Sequence, residues 1–205
     1  MIAVVDYGMG NLHSVRLAFE AVGESVTVTS DPADLRRAER IVLPGVGAFG
    51  ECVKNLRGSA LYASLEEEVQ KKGKPLLGIC LGMQILATEG EELGKHTGLG
   101  WVPGRVRRLT AGERGMRVPH IGWNGAARMR EHPVFADMKA DSTFYYVHSY
   151  AFEPSSESHA AATCDYGGAF VCALAKDNIV ATQFHPEKSQ RDGFAILANF
   201  ARWKP

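Results

Sequence analysis

The chain has no excess of charge of either sign: 23 lysines and arginines balance 23 aspartates and glutamates among its 205 residues. That balance removes any global pull toward nucleic acid or an anionic membrane and favours a small molecule or a protein as partner. Long apolar runs are missing too, none approaching the roughly 20 residues that a membrane-spanning helix needs. The N-terminal Met1-Ile2-Ala3-Val4-Val5-Asp6 lacks the basic flank of a signal peptide and reads as a strand, so a cytoplasmic protein is expected. Cysteine is scarce, and Cys52, Cys80, Cys164 and Cys172 fall at spacings that match no metal-ligand pattern or disulfide framework. No metal and no cofactor is expected, and three of the cysteines read as small buried hydrophobes. Repeats and low-complexity linkers are absent, and the 45% hydrophobic content suffices for one core, so residues 1–205 are read as a single domain.

What is present begins with alternation. Residues 2–5 form an all-apolar run typical of a strand covered on both faces, and Leu12, Val15, Phe19 and Val22 then mark a helix that Gly23 ends. Further strands are expected at 26–29, 40–43 and up to Cys80, with helices at 32–37, through Leu61, Leu65 and Val69, and from about Gly82 to Glu89. This order predicts an α/β fold with a mostly parallel central sheet, helices on both faces, and sites at the C-terminal strand ends. After residue 90 the chain turns β-rich, with strand-like pieces at 105–109, 117–120, 143–150, 159–164, 169–175 and 179–183. A closing helix carries Phe194, Ile196, Leu197, Phe200 and Trp203, apolar positions that nearly encircle it and predict deep burial. Arg105, Arg107, Arg108, Arg114 and Arg117 form a locally basic stretch, read as a solvated face or a dock for an acidic surface.

Chemistry concentrates in a few stretches. Gly78-Ile79-Cys80-Leu81-Gly82-Met83-Gln84 places a cysteine between glycines at a strand-to-helix junction, the pattern of a nucleophile elbow. A helix N-terminus there favours the thiolate. Taken alone, the pattern fits a buried core cysteine equally well. Pro44-Gly45-Val46-Gly47-Ala48-Phe49-Gly50 offers backbone N–H groups to an anion or forms a plain turn, and it lacks the Gly-Lys-Ser/Thr ending of a Walker loop. Gly8-x-Gly10 is not a dinucleotide fingerprint, because position 13 is histidine. The distal Gln183-Phe184-His185-Pro186-Glu187 decides the matter. In extended backbone, residues two apart share a side, so His185 supplies a base and Glu187 a carboxylate to orient it.

With those motifs the sequence resembles the class I, or triad, glutamine amidotransferases, whose signatures are the Gly-x-Cys-x-Gly-x-Gln elbow at 78–84 and the strand-end His-Pro-Glu at 185–187. Within the family, Asp6 to Asn11, Pro44 to Gly47 (where most members carry Pro-Gly-Gly), Pro119-His120-Ile121-Gly122-Trp123-Asn124 and Tyr146 to Tyr150 are similar to the glutaminase subunits of imidazole glycerol phosphate synthases. The resemblance covers essentially the whole chain, with no departure at a catalytic position.

The resemblance implies a flavodoxin-like fold and a glutaminase in which Cys80, His185 and Glu187 are the catalytic triad. It implies oxyanion donors at Leu81 and in the Gly45-Val46-Gly47 loop, and substrate contacts from Gln84, Glu92, His148, Ser149 and Tyr150. It also implies a partner, the (β/α)8-barrel cyclase subunit in a 1:1 heterodimer, with Asn11, Trp123, Asn124 and Lys188 flanking the mouth as docking residues. A flexible glycine loop suggests low basal activity raised by that partner. The rival readings are an amidotransferase subunit for anthranilate, GMP or carbamoyl phosphate synthesis, a free-standing thiol hydrolase, a non-catalytic binding module, and an FMN-binding carrier. Val46 and the 119–124 stretch speak against the first, the retained triad residues against the third, and the missing phosphate loop against the last.

Overall fold

Strand β1 (Ile2–Val5) is apolar at every position because both its faces are covered. Ile2 and Val4 join one core with Val15 and Phe19 of helix α1 (Leu12–Ala21) and Leu197 and Phe200 of the final helix, while Ala3 and Val5 join a second core on the opposite face. The computed structural model describes residues 1–110 and 115–205; Arg114 of the basic stretch lies outside them. Along the first half follow β2 (Val26–Thr29), α2 (Pro32–Arg37), β3 (Arg40–Gly45), α3 (Phe49–Gly58), α4 (Leu61–Glu66), which widens into a π turn over Glu67–Lys71, β4 (Leu76–Cys80) and α5 (Leu81–Gln84). Leu35, Cys52, Leu56 and Leu65 place α2, α3 and α4 over the second core. Helices therefore cover both faces.

The remaining strands are β5 (Glu89–Gly90), β6 (His96–Thr97), β7 (Gly104–Arg108), β8 (His120–Gly125), β9 (Ala127–Arg128), β10 (Thr143–His148), β11 (Tyr150–Pro154), β12 (Ala160–Asp165), β13 (Ala169–Lys176) and β14 (Ile179–Thr182), closed by α6 (Gln190–Arg202). The main sheet runs β2-β1-β3-β4-β14-β13-β11-β7-β5-β6, parallel from β2 to β14 and antiparallel from there to β7. Strand order reverses at β1, so the crevice beyond the strand ends lies among the segments after β1, β3 and β4. A separate antiparallel ribbon, β8 with β10, stands over that end. Among the described residues no helix is long and apolar enough to cross a membrane.

Four local expectations need correction. The helix after Cys80 stops at Gln84 rather than Glu89, because Leu99, Val102 and Gly100 donate to the Ile85, Leu86 and Ala87 carbonyls at 2.8, 3.1 and 2.9 Å and so occupy acceptors that a longer helix would use. Helix α3 was not expected, although Phe49, Cys52, Val53 and Leu56 are its buried stripe. The strand expected at 117–120 starts at His120, after a cis Val118–Pro119 bond, and runs on to Gly125. The last helix buries one face only, through Gly193, Ile196, Leu197, Phe200 and Ala201; Phe194 is partly buried and Trp203 lies just past the helix end.

Gly82 sets how closely the elbow meets β3, since a Cβ on it would stand 1.9 Å from the Leu43 carbonyl oxygen. Gly82→Ala is expected to destabilise the chain by about 3 kcal/mol or more. Gly58→Ala, where a Cβ meets nothing within 4 Å, should change stability by less than about 1 kcal/mol. Chemical denaturation of the two variants checks the contrast.

Candidate active site

At the end of β4, Cys80 takes φ 54° and ψ −110° before the chain turns into α5. Positive φ costs a residue with a Cβ about 1–3 kcal/mol, so neighbouring packing must hold it. Both flanking glycines are needed. A Cβ on Gly78 would lie 3.0 Å from the Gly82 carbonyl oxygen, and Gly82 has the still tighter approach to Leu43. Gly45, at the end of β3, pairs in register with Cys80, so the glycine loop starts beside the cysteine.

From the next parallel strand, β14, the chain delivers His185 to the same place. His185 N donates to the Tyr145 carbonyl at 2.9 Å, its own carbonyl accepts from Ser189 Oγ at 2.6 Å, and Ser189 Oγ accepts from Tyr145 N at 3.0 Å. Strand β10 thereby fixes the histidine backbone. Its Nδ1 donates to Glu187 Oε1 at 2.7 Å, the two side chains being 4% and 1% exposed, which leaves Nε2 for the hydrogen bond with Cys80. Burial pulls the imidazole toward neutrality, but the hydrogen bonds and negative charges of Cys80 and Glu187 outweigh it and raise its pKa to about 10. A protonated imidazole beside a cysteine sulfur is equipped to hold a thiolate and then to hand a proton to a leaving group.

A cavity of about 350 Å³ opens on this pair, lined by Val46, Gly47, Leu81, Gln84, Glu92 and the 147–150 segment, among others. Gly45 lies buried below it. Gln84 Nε2 donates to the Tyr150 carbonyl at 2.8 Å and to Gln183 Oε1 at 2.9 Å. Both amide protons are engaged, which leaves the Gln84 oxygen as its remaining acceptor. Glu92 Oε2 accepts from Phe49 N at 2.8 Å, at the N-terminus of α3, leaving Oε1 for a cation in the cavity. His148 donates from Nδ1 to the Tyr150 carbonyl at 2.8 Å, an acceptor that fixes the tautomer, and its Nε2 accepts from His120 Nδ1 at 3.0 Å. Burial lowers both histidines to about 4, so they stay neutral near pH 7 and hold shape rather than move protons.

Two residues here were not singled out from sequence as site members. Gln183, fully buried, puts Nε2 3.7 Å from Cys80 Sγ while its oxygen anchors Gln84. Its position two residues before His185, in the segment just past β14, was the available signal. His120 orients His148, and nothing local in the sequence announces that. The docking candidates separate. Trp123 is 49% exposed on the outer face of the ribbon with Ile121 and Val147. It meets Tyr145 edge-on at 6.1 Å, and Lys188 Nζ sits 5.8 Å from the Tyr145 ring centroid. Asn124 faces the other way and donates to the Asp165 carbonyl at 3.0 Å. Asn11 stands just before α1 without a side-chain capping bond, and α1 packs on the Pro186–Lys188 turn. In the basic stretch, Arg105 pairs with Glu153 at 3.0 Å and Arg107 with Glu91 at 3.4 Å. Among the described residues no three His, Cys, Asp or Glu side chains converge as a metal site.

Residues 3–203 match the family model "Glutamine amidotransferase class-I". The chain is 49% identical to a protein of Geobacter sulfurreducens, with 99% of each chain covered, and 48% identical to one of Syntrophotalea carbinolica, with 98% of each covered; both are named imidazole glycerol phosphate synthase subunit HisH. Among solved structures, PurLQS from Thermotoga maritima superposes with a TM-score of 0.74 at 17% identity, covering 98% of this chain and 97% of that one. The glutaminase domain of Trypanosoma brucei CTPS, solved with bound acivicin, superposes with a TM-score of 0.63 at 18% identity, covering 100% and 94%. These two likenesses speak for the fold alone.

The His185 proton has a consequence for stability. The folded value, about 10, exceeds the unfolded value of about 6.5. Its stabilising contribution is therefore complete below about pH 6.5 and is lost as pH rises through about 10. Glu187→Gln removes one of the charges that hold the proton. In that variant the His185 ring carbon should titrate below the wild-type midpoint by NMR, and the stability gap between wild type and variant should shrink between pH 7 and 10.

Proposed function

The chain belongs to the class I glutamine amidotransferases, and from that premise we propose that it is the glutaminase subunit of an imidazole glycerol phosphate synthase, releasing ammonia from glutamine for a cyclase partner. The observation that carries the chemistry is the meeting of the Cys80 elbow with the His185–Glu187 pair at the floor of one cavity. The Cys80 thiolate attacks the side-chain amide carbon of glutamine, and His185 Nε2 protonates the departing nitrogen, so that ammonia leaves and a thioester remains. His185, now neutral, takes a proton from water as it attacks the thioester, and glutamate is released. Glu187 keeps the imidazole in the tautomer that both steps need.

Substrate recognition follows from which atoms are free. Gln84 Oε1 accepts from the substrate amide, Glu92 Oε1 takes the α-ammonium, and the His148-Ser149-Tyr150 segment lies toward the carboxylate. Each tetrahedral intermediate places its oxyanion between Leu81 N–H and the N–H groups of the Gly45-Val46-Gly47 loop, where one donor is worth about 100- to 1,000-fold in rate. The relatives' names, which make each a subunit of a synthase, support a partner subunit, and the exposed Trp123, Ile121 and Val147 beside Lys188 offer an apolar docking face with a cationic rim.

The test is glutamine hydrolysis with and without the cyclase subunit. Wild type should be slow alone and much faster with the partner, and Cys80→Ala should be inactive in both states; no activity of wild type in either state would sink the glutaminase reading. Trp123→Ala should weaken the complex by about 2 kcal/mol, roughly 30-fold in Kd by calorimetry, and unchanged affinity would remove Trp123 from the interface.

A further inference from the structure

The loop between β3 and α3 carries the candidate oxyanion donors, and the structure ties it at both ends. At the front, the Tyr7 hydroxyl lies 2.7 Å from the Pro44 carbonyl oxygen and 3.0 Å from Cys52 Sγ, and both side chains are buried. A carbonyl only accepts, so the single Tyr7 proton goes to Pro44, and the Cys52 thiol donates to the phenol oxygen. Burial supports both protonation states. It raises the Tyr7 phenol well above its usual range and pushes the Cys52 thiol up to about 12. In a trans peptide the C=O and the following N–H point in opposite directions. Holding the Pro44 carbonyl toward Tyr7 therefore turns Gly45 N–H toward β4, the strand that ends at Cys80. Gly45 is wedged there: a Cβ on it would stand 2.8 Å from Gly82 N, 3.0 Å from Leu81 Cβ and 3.0 Å from the Tyr7 hydroxyl.

At the back, Ala48 provides no side-chain cap for α3, and Phe49 N donates to Glu92 Oε2 at 2.8 Å. The stretch between the two ties includes Gly47 at φ +100°, a conformation that glycine adopts without steric penalty. A segment this free holds one geometry only if its ends are fixed.

We propose that Tyr7 is a positioning residue for the glutaminase reaction, acting with Glu92 as one of two clamps that hold the 45–48 loop at the spacing where its N–H groups meet the oxyanion. This rests on the reading of Cys80 as nucleophile and of the loop as oxyanion site. It deepens that reading by giving Glu92 two simultaneous roles. One carboxylate oxygen fixes the loop and the other receives the α-ammonium, so a ligand that presents an ammonium there is sensed by the loop through a shared carboxylate.

The experiment separates oxyanion geometry from thiolate reactivity. Alkylation of Cys80 by iodoacetamide is a displacement at carbon that forms no oxyanion, whereas glutamine hydrolysis forms two. In the presence of the cyclase subunit, Tyr7→Phe should lower kcat by at least about tenfold and leave KM and the Cys80 alkylation rate within about twofold of wild type. Cys52→Ala keeps the Tyr7–Pro44 bond and should keep kcat within about threefold. Glu92→Gln retains an oxygen for Phe49 N–H and should raise KM chiefly, while Glu92→Ala should lower kcat as well. Unchanged kcat in Tyr7→Phe overturns the proposal. So does a parallel fall in alkylation, which places the effect at the thiolate, or in thermal stability together with alkylation, which makes Tyr7 a packing residue. Equal kcat in the two Glu92 variants removes the rear clamp. If the wild-type complex hydrolyses no glutamine, the functional reading itself falls, a result distinct from an active complex indifferent to Tyr7.

Discussion

Everything at this site depends on one close approach of backbone to backbone, where Gly82 passes under the Leu43 carbonyl with no room for a methyl group. That contact lets α5 begin directly above β3, which forces the chain to reverse at Cys80 with positive φ. The turn lifts a sulfur out of the sheet and sets Gly45 beside it in register. Parallel β14 then brings His185 alongside from the other flank of β4. Three neighbouring strands thus deliver a loop of N–H donors, a thiol and an imidazole to one spot, and none of the three needs a long excursion to reach it.

Electrostatics at the site runs against burial in one place and with it in two others. His185 keeps a proton that its surroundings alone would remove, because Glu187 and Cys80 are both within hydrogen-bond reach. His120 and His148, hydrogen-bonded to no carboxylate, yield to burial and lose theirs, His148 also under the repulsion of the His185 charge. Similar depth therefore gives opposite charge states, decided by whether a carboxylate is hydrogen-bonded to the ring.

Much of this was legible in the sequence where cause and effect lie close along the chain. The glycines around Cys80, the proline that holds His185 extended, and the apolar runs of β1 and β4 are local signals, and the strands they imply are present. What was not legible depends on distant partners. Gln183 joins the site only because β14 pairs with β4, and His120 matters only because β8 pairs with β10 opposite His148. Helix α3 had a readable stripe, but the glycines before it suggested a loop. The short α5 ends through hydrogen bonds to residues 99–102, which helical periodicity does not register. Asn124, adjacent in sequence to Trp123, faces the opposite side because a strand alternates.

The β8–β10 ribbon has only two strands, and such a ribbon has little stiffness of its own. Its rigidity comes from beneath, where Phe144 stacks on Phe184 at 4.1 Å and Tyr146 fills the core. On its upper side it shows Trp123 and Val147, and along one edge Tyr145 grips the His185 backbone. It is in effect a thin diaphragm, with solvent-facing aromatics on one surface and the imidazole mount on its rim. Only a single strand's thickness separates the exposed Trp123 from the His185 backbone.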